Sequence, residues 1–170
     1  MGVIGTERFQ THPLRKRLIY NTFMVIHFIC VGNIYRSRLA ETYFNSKKLT
    51  NVKAISSGTN ATICGNRPVS WYAQRLIDKN GIMEFEKPFW TKTNKEILNS
   101  ADYTIFFSKD YFDFCVKNYG FNSNKFEIWE LKDIDPSNSS DIELMKITEN
   151  TFESIKQKID DLIERKKFVH

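Results

Sequence analysis

The feature that most constrains the fold is the segment Phe23–Ile29, in which almost every side chain is apolar. A strand with one face in water alternates apolar and polar residues, whereas a strand covered on both faces has a near-continuous apolar run. Strands of the second kind belong to parallel sheets with helices on either side. The segment therefore predicts an inner strand of an α/β fold.

Strand and helix patterns alternate along the rest of the chain. Further strands are predicted over Asn51–Ser56, Asp102–Phe107 and Lys125–Trp129. Helices are predicted over Ser37–Lys48, from Pro68 to Gly81, over Lys109–Asn118, and from a capping box at Ser140 onward. This alternation predicts a single three-layer α/β domain over residues 24–170, with a four-stranded, mostly parallel sheet and helices on both faces.

Residues 1–23 are expected to be an N-terminal extension outside this domain. Their Met1-Gly2 start fits the short N-myristoylation pattern, and Arg15, Lys16 and Arg17 could supply a second membrane signal. That pattern is weak, so contact with a membrane is expected only if Gly2 is acylated. The favoured interpretation is that Met24 is the natural start and the extension is upstream or added sequence.

Charge and cysteine content exclude several function classes. The net charge is +5, but the extension holds most of it and no dense basic stripe follows, which argues against a nucleic-acid partner. The chain has three widely spaced cysteines, Cys30, Cys64 and Cys115, which fit neither a disulfide framework nor a zinc site. A reducing, cytoplasmic location is expected, with no metal and no cofactor.

The most distinctive segment follows the first strand and reads Cys30-Val31-Gly32-Asn33-Ile34-Tyr35-Arg36-Ser37. In a parallel sheet, ligands bind beyond the carboxyl ends of the strands. A loop between a strand and a helix can turn its backbone N–H groups inward, and the helix adds its positive N-terminal end. Together with the forked guanidinium of Arg36, this predicts a phosphate-binding loop whose field favours the thiolate of Cys30. A thiolate in such a loop suits phosphoryl transfer through a cysteinyl-phosphate.

The segment from Phe28 to Glu41 resembles the N-terminal signature of the low-molecular-weight protein tyrosine phosphatases. The likeness covers the chain from about Met24 onward and continues through Ser56-Ser57-Gly58-Thr59, Ala101-Asp102-Tyr103 and Asp135-Pro136. The resemblance implies an enzyme that hydrolyses phosphotyrosine in proteins and releases inorganic phosphate.

The resemblance also implies the roles of individual residues. Cys30 is the nucleophile, Arg36 binds the phosphoryl group and stabilises its transition state, and Asp135 is the general acid. Ser37 hydrogen-bonds the thiolate and Asn33 holds the shape of the loop. The substrate phosphate is expected to contact Val31, Gly32, Asn33, Ile34, Tyr35, Arg36 and Ser37.

Asp135 also has support from its surroundings in the sequence. A carboxylate that faces a phosphate experiences negative charge, which helps it hold the proton to be donated. Pro136 restricts the backbone directly after it. The same dipeptide is also common in plain turns, and Asp133 is an alternative acid two residues away.

Several departures from the family pattern leave the substrate open. Arg38 replaces the usual Pro; it could add a positive charge near the mouth of the pocket, but the favoured interpretation is a solvated helix residue. The usual aromatic side chains of the substrate cleft are absent, and of Trp71, Tyr72 and Trp90, which could replace them, at least two are expected to be buried in the core. A His that usually supports the loop is missing as well.

Three alternatives to the phosphotyrosine interpretation remain. Phosphoarginine phosphatases tend to carry Thr where this chain has Ile34. Arsenate reductases of this fold need a nearby cysteine pair, whereas Cys64 and Cys115 lie far apart in the sequence. A weakly active phosphate-binding regulatory module would keep the same loop.

Overall fold

The apolar run at the start of the domain forms the strand β1 (Met24–Cys30), as predicted. The computed structural model describes residues 23–64 and 69–168, so the predictions for residues 1–22 and for Pro68 lie outside the described part. The elements follow in the order β1, α1 (Arg36–Ser46), β2 (Val52–Gly58), α2 (Trp71–Lys79), α3 (Lys95–Ser100), β3 (Tyr103–Phe106), α4 (Lys109–Tyr119), β4 (Phe126–Ile128) and α5 (Asp141–Lys166), with short 3-10 helices at Ala61–Cys64 and Met83–Phe85.

The four strands form one sheet in the order β2-β1-β3-β4, and all three neighbouring pairs are parallel. The register pairs Cys30 with Gly58 and Ile29 with Phe106, so the segments that follow β1, β2 and β3 begin at the same edge of the sheet. The order changes direction between β1 and β3, which is where parallel α/β sheets place their ligands.

Helices cover the sheet on both faces, which confirms the three-layer prediction. On one face, Phe28 and Ile105 pack with the apolar sides of α1, α2 and α5. On the other face, Ile29 and Phe106 pack with Leu98 of α3 and with α4. Successive residues of β1 thus contribute to two separate clusters, because neighbouring side chains of a strand point to opposite faces.

The longest helix, α5, begins where its capping box predicts. The hydroxyl of Ser140 accepts the backbone N–H of Glu143, and the carboxylate of Glu143 accepts the backbone N–H of Ser140. The helix α3 was not predicted, because six residues are too few to show a helical apolar period. Among the described residues, no helix is long and apolar enough to cross a membrane.

Candidate active site

A pocket of about 170 Å³ opens at the carboxyl edge of the sheet, directly above the end of β1. We use "phosphate loop" for residues 30–37 and "acid loop" for residues 131–140. The phosphate loop forms the floor of the pocket, and the acid loop and α2 contribute its walls. The lining residues are Cys30, Val31, Gly32, Ile34, Tyr35, Arg36, Tyr72, Asp133, Ile134 and Pro136.

The thiol of Cys30 lies at the floor of this pocket and is only 2% exposed. Its sulfur is 3.0 Å from the hydroxyl oxygen of Ser37 and accepts the backbone N–H of Asn33 at 3.3 Å. The helix α1 begins at Arg36, so Ser37 lies inside its first turn and does not cap it. The Ser37 hydroxyl is therefore available to the thiol.

Arg36 is 2% exposed, and its guanidinium is held from the far side of the pocket. Nη1 donates to the carbonyl of Leu131 at 2.6 Å, and Nη2 donates to the Tyr111 hydroxyl at 2.9 Å and pairs with Asp133 at 2.5 Å. Burial lowers the pKa of Arg36, but the charges of Cys30 and Asp133 and the contact with Tyr111 raise it above its ordinary value. Arg36 therefore carries a permanent positive charge beside the thiol.

An unpartnered donor of Arg36 is the observation that most directly indicates an anion site. Its Nε is buried and has no hydrogen-bond partner in the described part of the chain. A buried N–H without a partner costs about 1–3 kcal/mol, and more where the group is charged. An oxyanion in the pocket would satisfy it, since a guanidinium binds two phosphate oxygens at once.

The backbone of the phosphate loop is fixed by the segments that follow β2. Thr59 N–H donates to the carbonyl of Cys30 at 3.0 Å, Asn60 N–H to that of Val31 at 2.9 Å, and Ser70 N–H to that of Ile34 at 2.9 Å. Gly58 packs directly against this backbone: a Cβ there would lie 2.4 Å from the carbonyl oxygen of Val31. The close approach explains why a glycine ends β2.

Asn33 holds the tightest point of the loop. It is fully buried and has a left-handed backbone with φ of 54°. Its Nδ2 donates to the hydroxyls of Ser37 at 2.9 Å and Ser56 at 2.7 Å, and its Oδ1 accepts Thr91 N–H at 2.7 Å. These bonds hold the side chain, and a short amide such as Asn tolerates this backbone better than most residues.

Asp133 and Asp135 occupy different positions in the acid loop. Asp133 lines the pocket and pairs with Arg36. Asp135 does not line the pocket; its carboxylate accepts the N–H of Ser137 at 2.9 Å and Nδ2 of Asn138 at 2.5 Å. These bonds lower the pKa of Asp135. The structure thus brings Cys30, Arg36, Ser37 and Asn33 together and, in this conformation, leaves Asp135 at the rim.

Arg38 was predicted to be a solvated helix residue, and that prediction is wrong. Arg38 is 0% exposed; its Nη2 donates to the backbone carbonyl of Lys87 and pairs with the carboxylate of Glu86 at 3.3 Å. These partners lie nearly fifty residues further along the chain, so no local pattern announces them. The side chain supports the loop from behind.

The prediction that at least two of Trp71, Tyr72 and Trp90 are buried in the core is also wrong. Tyr72 is buried, but Trp71 is 48% exposed and Trp90 is half-buried. Tyr72 lies at the pocket wall, with its ring edge-on to Tyr35 at 5.2 Å between centroids. One aromatic ring from α2 therefore lines the pocket, together with Tyr35 of the phosphate loop.

Sequence reasoning missed Tyr111 and Lys87, which reach the site from distant segments. Tyr111 follows β3, whose carboxyl end lies at the same edge as the phosphate loop, and this topology is the one signal that could have indicated it.

In residues 23–64 and 69–168, no group of three or more His, Cys, Asp or Glu side chains is placed to hold a metal ion.

Comparison with protein families gives a match over most of the chain. The model of the family described as low molecular weight phosphotyrosine protein phosphatase matches residues 25–167. The matched range includes the phosphate loop, the acid loop and every helix and strand except the first residue of β1. A search of curated proteins found no match.

Solved structures with the same fold come from enzymes with different substrates. A low molecular weight protein tyrosine phosphatase from T. tengcongensis is 26% identical, with a TM-score of 0.70 over 84% of this chain and 99% of that one. The YwlE arginine phosphatase from Geobacillus stearothermophilus is 20% identical, with a TM-score of 0.71 over 85% of this chain and 93% of that one. The tyrosine phosphatase Wzb from Escherichia coli K30, in complex with sulphate, is 20% identical, with a TM-score of 0.64 over 82% of this chain and 99% of that one.

Proposed function

Because the chain belongs to the low molecular weight phosphotyrosine protein phosphatase family, we propose that it hydrolyses phosphotyrosine in proteins through a cysteinyl-phosphate intermediate. In this proposal Cys30 is the nucleophile, Arg36 binds the phosphoryl oxygens, and Ser37 stabilises the thiolate. The backbone from Val31 to Tyr35 surrounds the phosphate. A thiolate nucleophile needs a reducing environment, so we place the protein in the cytoplasm.

The proposed reaction has two steps. The thiolate of Cys30 attacks phosphorus, the bond from phosphorus to the tyrosyl oxygen breaks, and the general acid gives that oxygen a proton. Water then attacks the phosphorus of the cysteinyl-phosphate, and the same carboxylate takes a proton from that water. The bond from sulfur to phosphorus breaks, which restores the Cys30 thiolate and releases inorganic phosphate. We assign the acid to Asp135, on the strength of its Asp-Pro resemblance.

Asp133 is less suited to this role while it pairs with Arg36. The carboxylate of Asp133 lies 2.5 Å from Nη2 of Arg36, so its oxygen is engaged in an ion pair and is not directed at a leaving group. The phosphoryl group would compete with Asp133 for Arg36, because both are anions. Asp135 in turn must leave Ser137 and Asn138 before it can hold a proton, since those bonds favour its ionised form.

The observation that carries the choice of substrate is the apolar wall of the pocket. Tyr72, Ile34, Ile134 and Pro136 line the space above the thiol, where a tyrosyl ring would pack. Aromatic pairs contribute about 0.5–1.5 kcal/mol beyond the area they bury. A phenyl ring gains from all four side chains, whereas a guanidinium gains mainly by stacking on Tyr72 and finds no polar partner on the three aliphatic ones.

Phosphoarginine is the second candidate, and Asp133 is the observation that favours it. Among the described residues that line the pocket it is the one carboxylate, and a guanidinium substrate would pair with such a group. Arsenate reduction has less support, because Cys115 lies in the cluster on the opposite face of the sheet from Cys30.

The test compares kcat/KM for two peptides that differ only in carrying phosphotyrosine or phosphoarginine. We expect phosphotyrosine to be preferred, and Tyr72→Leu to lower kcat/KM for the phosphotyrosine peptide by about 2- to 10-fold. Tyr119→Leu, an aromatic loss on α4 away from the pocket, is the matched control and should change neither. A preference for phosphoarginine that survives Tyr72→Leu would reject the tyrosine assignment.

A further inference from the structure

A group of buried charges lies behind the phosphate loop and takes no part in the reaction described above. It consists of Arg38, Glu41, Glu86 and Lys87. The side chains of Arg38 and Glu41 are 0% and 9% exposed, and that of Lys87 is 23% exposed. Burying charged groups is costly unless they are paired, so their presence at this place needs a reason.

The first link to the site is through Asn33, whose left-handed backbone shapes the phosphate loop. Two of its three side-chain partners, Ser56 and Thr91, lie outside the loop and α1. Ser56 is on β2, and Thr91 belongs to the segment before α3. The position of Asn33 therefore depends on how firmly Ser56 and Thr91 are held.

Lys87 holds both of these partners with one ammonium group. Its Nζ donates to the carbonyl of Ser56 at 2.6 Å and to the hydroxyl of Thr91 at 3.2 Å. The same Nζ pairs with Glu41 at 3.2 Å, and that carboxylate accepts the hydroxyl of Ser56 at 2.5 Å. The contacts close a ring from Asn33 through Ser56, Glu41, Lys87 and Thr91 back to Asn33.

Arg38 anchors the segment from which Lys87 reaches into this ring. Its guanidinium donates to the backbone carbonyl of Lys87 and pairs with Glu86. Burial lowers the pKa values of Lys87 and Arg38, while Glu41 and Cys30 act in the opposite direction on both. The two positive charges of Arg38 and Lys87 are balanced by the carboxylates of Glu41 and Glu86.

We propose that Lys87 and Glu41 are positioning residues for the reaction of Cys30: through Ser56 and Thr91 they lock Asn33, and with it the phosphate loop, in the geometry that binds a phosphoryl group. The inference deepens the proposed function and rests on it. Neither side chain touches the substrate. Their loss should change how the loop binds an oxyanion as well as how fast the enzyme turns over.

The experiment uses Lys87→Met, Glu41→Gln and the double variant, with Lys92→Met as the control, because Lys92 is an exposed lysine five residues away. Two quantities are measured: kcat and KM for p-nitrophenyl phosphate, and the concentration of inorganic phosphate that halves the rate of Cys30 alkylation by iodoacetate. A displacement of about 1 Å in a site can cost about 10²-fold. We expect Lys87→Met to lower kcat/KM by about 10- to 100-fold and to weaken phosphate protection by a similar factor, with Lys92→Met unchanged.

The double variant tests whether the two residues act as a unit. Removing Lys87 opens the ring, whereas removing Glu41 leaves Lys87 joined to Ser56 through the Ser56 carbonyl alone. The double variant should therefore lose no more than Lys87→Met, as residues in one network are not additive. If the activity losses of the two single variants multiply in the double variant, the two residues act independently and the proposed ring is wrong. A folded Lys87→Met protein that keeps kcat/KM and phosphate protection within twofold of the wild type would also overturn the ring.

Two further comparisons separate a positioning role from a loss of folded protein. A purely structural defect lowers kcat in proportion to the folded fraction and leaves KM and the protecting phosphate concentration unchanged; that result would reject a positioning role. If Lys87→Met does not fold, Thr91→Val removes only the hydroxyl that Lys87 binds, and it should weaken phosphate protection by several-fold or the proposal fails. Phosphate protection does not require turnover, so it tests the ring even if the wild type hydrolyses no phosphotyrosine.

Discussion

The two loops that face each other across the pocket are built in opposite ways. The phosphate loop is buried, and its backbone and side chains are bonded to β2, to the segment before α2 and to Thr91. The acid loop is largely exposed, and within the described residues the Asp135 carboxylate bonds only to its own neighbours, Ser137 and Asn138. The contacts of the acid loop with the opposite wall run through Leu131 and Asp133 to Arg36.

This difference indicates that the anion site is already formed before a substrate binds, whereas the proton donor is not yet in place. An oxyanion site gains most from donors that are already in place, since no energy is then spent on arranging them during the reaction. A proton donor must change its surroundings between its charged and neutral forms, which a loop can do more easily than a buried turn. We therefore expect substitutions in the phosphate loop to harm all substrates alike, and substitutions in the acid loop to act selectively.

The largest expected effect is at Asp135. A positioned acid contributes about 10²- to 10⁴-fold, and a poor leaving group needs it most. Asp135→Asn should therefore slow phosphotyrosine hydrolysis by about that factor and slow an activated aryl phosphate far less. Rates across a series of aryl phosphates of increasing leaving-group acidity measure this directly.

Asp133→Asn is the matched control for Asp135→Asn. Its amide cannot compete as an anion for Arg36, so phosphate should inhibit this variant at a lower concentration, while turnover stays close to that of the wild type. If the two variants exchange these behaviours, Asp133 is the acid. If the rate loss of neither variant depends on the leaving group, the acid loop takes no part in catalysis. The interpretation as a weakly active phosphate-binding module then gains support.

A smaller loss of activity, equal for all leaving groups, is expected when Gly58 is substituted. An alanine Cβ there would meet the carbonyl oxygen of Val31 at 2.4 Å and the backbone nitrogen of Asn33 at 2.8 Å, so the phosphate loop must move. We expect Gly58→Ala to lower kcat/KM by about 10²-fold for every leaving group and to weaken phosphate inhibition.

Gly120→Ala serves as its control. Gly120 has a left-handed backbone with φ of 68° and open space around it, so alanine there costs stability of about 1–2 kcal/mol without touching the site. Activity in that variant should be unchanged at temperatures where it is folded. A Gly58→Ala enzyme within threefold of the wild type would show that the loop is not rigidly held.

The fold was predictable where the signal is local. The apolar run of β1 and the capping box of α5 each specify an element from residues that are adjacent in sequence, and both were confirmed. The resemblance of the phosphate loop to the family signature agrees with the family match over residues 25–167. Locally encoded features therefore account for the architecture and for the place of the pocket.

The parts that sequence reasoning missed depend on contacts between distant segments. Arg38 looked like an exposed helix residue because its partners, Glu86 and the carbonyl of Lys87, come from a loop far along the chain. Tyr72 reaches the pocket only because α2 packs beside the phosphate loop. Asp135 stays a prediction, since its role depends on a change in loop conformation that no sequence pattern describes.

The central claim is that Cys30 carries the phosphoryl group during turnover. Mixing excess ³²P-labelled phosphotyrosyl peptide with the enzyme, quenching in denaturant within milliseconds and mapping the labelled peptide tests it directly. The account predicts label on the peptide that contains Cys30, and neither label nor turnover in a Cys30→Ala protein. Steady hydrolysis with no label at Cys30, or with Cys30 replaced by alanine, would contradict it.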